Sequence, residues 1–187
     1  MNERKEKVYV LLVDGFETIE ALTPVDVCTR CKVDVATVSV NDTEFVTSSH
    51  GVTVKADCLW KETNFDDGTV LILPGGYPGY VNLTNSEKVG ILLKKYYTEG
   101  RVVGAICGAP SVLAANKVAM GRRISCHHSV IDKMEGYNYT NEIVTVDGNL
   151  TTATGAGRSV EFCIAIMRQL CNADVIDHLL QGLEVTE

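Results

Sequence analysis

The run of apolar and polar positions divides the chain into short apolar strands separated by amphipathic segments. Lys7 to Val13 (KVYVLLV) reads as a first strand, turned at its end by Asp14, Gly15 and Phe16. Glu17 to Cys31 follows as a helix, with Glu17 and Glu20 in its opening turns, where carboxylates suit the helix dipole; Pro24 should kink it or mark a second start. Val33 to Val40 is a second strand, and Phe45-Val46 with Val52 to Val54, split by His50-Gly51, suggests a small hairpin. Val70 to Leu73 (VLIL) is a third core strand that ends in Pro74-Gly75-Gly76. Ser86 to Tyr97 sets Val89, Ile91, Leu92 and Leu93 against Lys88, Lys94 and Lys95, the pattern of an amphipathic helix.

Val102, Val103, Ala105 and Ile106 form a short run apolar on both faces, which suits a parallel strand covered by helices. Ser111 to Lys117 then has helical character, Arg123 to Cys126 reads as a short strand, and Ser129 to Met134 as a helical turn. Glu142 to Val146 and Leu150 to Ala153 pair about the hairpin dipeptide Asp147-Gly148. Gly155 and Gly157 open a helix to about Cys171, and Asp174 to Leu183 is the last one. Strands alternating with helices predict an α/β fold, a three-layer sandwich whose mostly parallel sheet carries helices on both faces. With no repeat, low-complexity tract or linker, a single domain over residues 1–187 is expected. In such sheets ligands sit beyond the C-terminal strand ends, so the loops after Val13, Leu73 and Ile106 should converge on one crevice.

Candidate chemistry centres on Arg101 to Pro110 (RVVGAICGAP), where the apolar run stops at Cys107 between the small residues Gly104, Gly108 and Ala109. Strand, sharp turn and helix are the context of a nucleophile elbow, and a helix N-terminus there would favour the thiolate. A plain buried cysteine in an α/β core fits the same stretch. Glu20 lies among Ile19, Ala21 and Leu22, so it is more readily desolvated than Glu17, and a protonated carboxyl beside the sulfur could hydrogen-bond it and move protons. Gly75 and Gly76 offer unobstructed N–H groups that, with that of Gly108, suit an oxyanion site. Cys126, His127 and His128 are the densest group of potential ligands, but consecutive side chains diverge and no standard zinc spacing completes them. His127 is the candidate to orient or deprotonate the thiol. Cys28 and Cys31 have redox-motif spacing but fall late in a helix, and read as structural. Tyr77 and Tyr80 could flank the crevice.

Composition narrows the partners. A net charge of −7 without a basic cluster argues against nucleic acid. An odd set of seven cysteines, several of them inside apolar patterns, suggests reduced thiols in a cytoplasm. No stretch is long and apolar enough to predict a membrane span, and the charged start with its brief apolar run does not read as a signal peptide.

Taken together, AICGAP at 105–110, LPGG at 73–76, FETIEALTPVDV at 16–27 and HHSVIDKM at 127–134 resemble the ThiJ/PfpI superfamily, within it the branch of the parkinsonism-associated protein DJ-one and its bacterial relatives. The resemblance covers nearly the whole chain, including TGAGRSVEF at 154–162. It implies a flavodoxin-like, class I glutamine amidotransferase-like domain, usually a homodimer, with Cys107 as reactive cysteine, Glu20 as its protonated partner, the amides of Gly76 and Gly108 as oxyanion contacts and His127 close by. The chain departs from the pattern at His128, where many relatives have Pro, at Gly155-Ala156-Gly157-Arg158, where they have Gly-Pro-Gly-Thr, and at His50, often Arg. The expectation is a cysteine enzyme without cofactor or metal, acting on small reactive aldehydes or their adducts with proteins as a glyoxalase or deglycase. The alternatives are an oxidative-stress sensor or redox-regulated chaperone in which Cys107 becomes a sulfinic acid, and, third, a cysteine peptidase.

Overall fold

A computed structural model describes residues 6–185; the charged start read at Met1 to Lys5 lies outside them. The strands are β1 (Lys7–Leu12), β2 (Asp34–Ser39), β3 (Phe45–Thr47), β4 (Thr53–Lys55), β5 (Cys58–Leu59), β6 (Val70–Leu73), β7 (Val102–Ile106), β8 (Arg123–Ile124), β9 (Asn138–Tyr139), β10 (Val144–Asp147) and β11 (Leu150–Ala153). The helices are α1 (Thr18–Arg30), α2 (Gly79–Thr84), α3 (Glu87–Thr98), α4 (Pro110–Ala115), α5 (Ser159–Met167) and α6 (Ala173–Gly182). The main sheet runs β10-β11-β7-β6-β1-β2-β5, parallel except for β10, which pairs antiparallel with β11 through the predicted Asp147-Gly148 turn. The flavodoxin-like sandwich follows, with one layer of helices on each face.

Strand alternation explains the two layers. Along β1, Tyr9 and Leu11 face one core with Val89, Leu92, Leu93 and Tyr96 of α3, while Val8, Val10 and Leu12 face the other with Ala21 and Val27 of α1 and Phe162 of α5. Gly104 in β7 lets α5 come this close, since a Cβ there would stand 2.9 Å from both Phe162 and Ile166. Burying a side chain such as Phe162 completely is worth roughly 1.5–3 kcal/mol, and these layers hold the strand ends rigid under the site.

Several expectations change in detail. The α1 helix runs unbroken through Pro24, which is itself buried; packing there outweighs the unfavourable helix propensity of proline. Ile91 is 62% exposed, so the buried stripe of α3 is Val89, Leu92, Leu93 and Tyr96. The helix read from Gly155 to Cys171 is a short 3-10 turn at Ala156–Arg158 followed by α5, which ends at Met167. The strand read to Cys126 stops at Ile124, and its parallel partner β9 was not legible. Ser129 to Met134 is a 3-10 helix over His128–Lys133.

Candidate active site

Cys107 follows the last residue of β7. Its N–H donates to the Ala153 carbonyl of β11 at 2.9 Å, and its own carbonyl accepts from the His127 N–H at 2.8 Å. Held from both sides, it adopts φ 64°, a left-handed conformation that costs an L-residue about 1–2 kcal/mol. The turn closes when the Ala109 N–H donates to the Ile106 carbonyl at 3.0 Å, and α4 begins at Pro110. Gly108 is needed here because a Cβ would stand 2.4 Å from the Tyr80 ring.

Glu20 reaches the same point from α1. Glu17 caps that helix, its Oε2 accepting the Glu20 N–H at 2.8 Å, while the Glu17 N–H donates to the Gly75 carbonyl at 3.0 Å. The Gly75 N–H in turn donates to Glu20 Oε2 at 2.7 Å. This stitching fixes the start of α1 to the loop after β6 and leaves the Glu20 side chain wholly buried. A Cβ on Gly75 would lie 2.9 Å from both Cys107 Cβ and Glu20 Oε2, which measures how closely the two side chains approach. Glu20 Oε1 is buried with no partner at ordinary hydrogen-bond geometry, although the Cys107 thiol stands close enough to perturb the carboxyl. Burial raises the Glu20 carboxyl to about 7, against the opposing pull of the Gly75 N–H and the Cys107 thiol.

The thiol departs from expectation. Burial pushes Cys107 up to about 12, the Glu20 carboxylate adds to that push, and the N–H groups of Gly108 and Gly76 oppose it. The helix end does not create a thiolate by itself, because α4 has only six residues and starts three positions after the sulfur. When Glu20 is protonated, its carboxylate no longer raises the thiol, and the sulfur faces the N–H groups of Gly108 and Gly76.

His127 is brought alongside, with Gly155 between it and Cys107. The position of a Gly155 Cβ would be 3.6 Å from His127 Cδ2 and 3.9 Å from Cys107 Sγ, ordinary contact distances that put both side chains around this glycine. His127 Nδ1 lies 2.8 Å from Ser129 Oγ and accepts the Ser129 N–H at 3.3 Å, which assigns the proton of the neutral ring to Nε2. Burial lowers the His127 pKa, and the His128 ring, 4.0 Å away, lowers it further. Both histidines, Arg158 and Gly155 line a cavity of about 450 Å³. Arg158 is paired with Glu161 at 3.1 Å, and His50 lies 3.9 Å from Glu17 Oε1 on the outer side of the α1 cap. Tyr80 packs over Gly108 as expected of a crevice wall, whereas Tyr77 is largely exposed.

Gly155 beside Cys107, Ser129 on His127 and the Glu17 cap at Glu20 are contacts that sequence reasoning did not assign; the glycine-rich TGAG segment was the available signal for the first. Burial raises Cys28 and Cys31 to about 12 and about 11, away from the activated thiols of redox motifs. Among the described residues no group of three His, Cys, Asp or Glu side chains is placed to hold a metal, and no helix is long and apolar enough to cross a membrane.

The family model described as the DJ-1/PfpI family matches residues 6–169. The chain belongs to the DJ-1/PfpI family. Among its relatives is the glutathione-independent glyoxalase DJR-1.2 of Caenorhabditis elegans, 31% identical over 98% of each chain. A deglycase of Pyrococcus abyssi is 33% identical over 81% of this chain and 91% of its own length. The crystal structure of Drosophila melanogaster DJ-1beta superposes with a TM-score of 0.94 at 31% identity, covering 98% of this chain and all of that one. The DJ-1/PfpI fold therefore extends over the whole described chain, elbow and glutamate included.

Proposed function

We propose that this DJ-1/PfpI protein is a cysteine enzyme acting on reactive aldehydes such as methylglyoxal, or on their adducts with proteins. The reading is carried by one observation, a wholly buried carboxyl anchored by Gly75 and raised to about 7 beside the Cys107 thiol. Relatives named as a glyoxalase and a deglycase support it. As the Cys107 sulfur adds to the aldehyde carbon, its thiol proton passes to the Glu20 carboxylate, and the N–H groups of Gly76 and Gly108 face the oxygen that gains charge. The hemithioacetal oxygen takes up the proton, leaving Glu20 as carboxylate. Glu20 then removes the hydrogen from the carbon bonded to sulfur and returns a proton to the neighbouring carbonyl carbon, which converts the hemithioacetal to a hydroxyacyl thioester. Water cleaves the thioester, releasing lactate and restoring the thiol, so one water is consumed and no oxidant is required. A pKa near 7 suits Glu20 to both halves of this transfer. His127, neutral with its proton on Nε2, borders the approach to the sulfur and donates to substrate oxygen.

Lactate formation from methylglyoxal by wild type, Cys107→Ser and Glu20→Gln tests this. Both variants should lose at least about 100-fold in kcat/KM, and full activity in Cys107→Ser overturns the reading. A second reading, oxidation of Cys107 to a sulfinic acid, draws on the unpartnered Glu20 Oε1, which once protonated would hydrogen-bond a sulfinate oxygen. Mass spectrometry after mild peroxide should then place two added oxygens on Cys107 alone. The exposed Ile19, Phe45 and Val52 near the α1 cap and the β3-β4 hairpin support association into a homodimer, which sedimentation would establish.

A further inference from the structure

The aldehyde chemistry employs Cys107, Glu20 and the glycine amides but gives no role to most of the cavity of about 450 Å³ on the His127 side. Two residues belong to both places. Gly155 lines this cavity, and a Cβ on it would stand 3.9 Å from Cys107 Sγ; His127 lines it too, and its N–H donates to the Cys107 carbonyl at 2.8 Å. The lining is one-sided in charge. In a chain of net charge −7 it contains no aspartate or glutamate, while it holds the Arg158 guanidinium and the adjacent rings of His127 and His128. His127 carries its proton on Nε2, because Nδ1 accepts the Ser129 N–H. Asn141, also in the lining, accepts the Tyr139 hydroxyl at Oδ1 at 3.2 Å, so its amide N–H groups are donors. Arg158 is set one turn from the glycine beside the sulfur, its N–H donating to the Gly155 carbonyl at 2.8 Å. Its Nη1 pairs with Glu161 at 3.1 Å, and both side chains are about half exposed. Such a pair is weak in water, and it engages one donor of the guanidinium fork.

We propose that this cavity is a carboxylate subsite, and that the substrate is a 2-oxoaldehyde with a carboxylate at its far end. The second half depends on the aldehyde chemistry proposed for Cys107. The reactive carbon sits at the sulfur, the chain passes Gly155, and the carboxylate meets Arg158 with the N–H donors of His127 and Asn141. A planar guanidinium matches a carboxylate in shape and in its single charge, whereas a phosphate dianion calls for more cationic partners than this lining supplies. Arg158 and His128 stand where the ThiJ/PfpI pattern has Thr and Pro, so this charge is particular to this chain. A compound of this class is 4,5-dioxopentanoate. The same steps convert it, with one water consumed and no oxidant, to 2-hydroxypentanedioate. Arg158 holds the far end of the substrate and sets specificity.

The test uses the full chain and two readouts. The first is the ratio of kcat/KM for 4,5-dioxopentanoate to that for its uncharged methyl ester. Wild type should favour the carboxylate by at least about tenfold, Arg158→Gln should bring the ratio near one, and Arg158→Lys should keep part of the preference. Lys94→Gln, which removes an exposed charge on α3, should leave the ratio as in wild type. Equal ratios in wild type and Arg158→Gln overturn the proposal. The second readout is binding of 4-oxopentanoate, which keeps the carboxylate and lacks the aldehyde, followed by NMR shifts of the His127 and His128 rings. Binding should saturate in wild type and be lost in Arg158→Gln, and it requires no catalysis. Binding without turnover of methylglyoxal supports the carboxylate subsite and removes the aldehyde reading; turnover of methylglyoxal without binding overturns the subsite alone. Displacement of 4-oxopentanoate by an equal concentration of inorganic phosphate overturns the choice of carboxylate.

Discussion

The carboxyl of Glu20, delivered by the first turn of α1, rests beside the sulfur of Cys107 at the end of β7, with Gly75 filling the space between the two chains. Neither residue is near the other in sequence. Each is unfavourable where it stands, one as a buried carboxyl and the other as a left-handed cysteine, and each is held there by backbone hydrogen bonds from a third segment.

The first consequence concerns pH. The Glu20 carboxyl rises from the ordinary 4.5 to about 7 on folding, so the native state binds more protons than the unfolded chain between those values. Stability from this group is therefore fully present below about pH 4.5 and is lost as pH rises through about 7, a change of roughly 3 kcal/mol. Thermal unfolding of wild type and Glu20→Gln across pH 4.5 to 7.5 should show the decline in wild type and its attenuation in the variant. Parallel curves would refute the assignment.

Gly75 is expected to be irreplaceable. An added Cβ would sit 2.9 Å from Cys107 Cβ and from Glu20 Oε2, and 3.0 Å from the Gly108 N, so it must push the pair apart. Gly75→Ala should lower stability by about 1–3 kcal/mol, measured by urea unfolding, and abolish the reactivity of Cys107 toward iodoacetamide.

The left-handed backbone of Cys107 predicts an inverted order of stability in its variants. Glycine normally destabilises relative to alanine, but φ 64° suits it and strains every L-residue. Cys107→Gly should be more stable than Cys107→Ala by up to about 1 kcal/mol in chemical unfolding.

His127 should titrate below the ordinary histidine range, because burial and the neighbouring His128 both oppose its charged form. NMR titration of the imidazole resonances checks this directly. Replacing His128 by Gln should move the His127 midpoint upward, and its burial should keep it below the ordinary value of 6.5.

Most of the framework was legible because it is local. The continuous apolar runs of β1, β6 and β7, the Asp147-Gly148 turn, and the small residues around Cys107 each have a short-range physical cause that appears in consecutive residues. The order of AICGAP, LPGG and FETIEAL then brought Cys107, Gly76 and Glu20 to strand ends that a parallel sheet must gather on one side. Other features were not legible. The six-residue α2 has too little periodicity to be read, and Ile91 looks like core until the orientation of α3 is known.

By itself, then, the sequence determined the α/β architecture and which residue types reach the crevice, since apolar periodicity and strand-end turns are properties of neighbouring residues. Tertiary structure alone decided where the proton of the site resides: desolvation of Glu20 and Cys107 depends on what packs around them, and the amides that oppose it come from Gly75, Gly76 and Gly108 on two different loops.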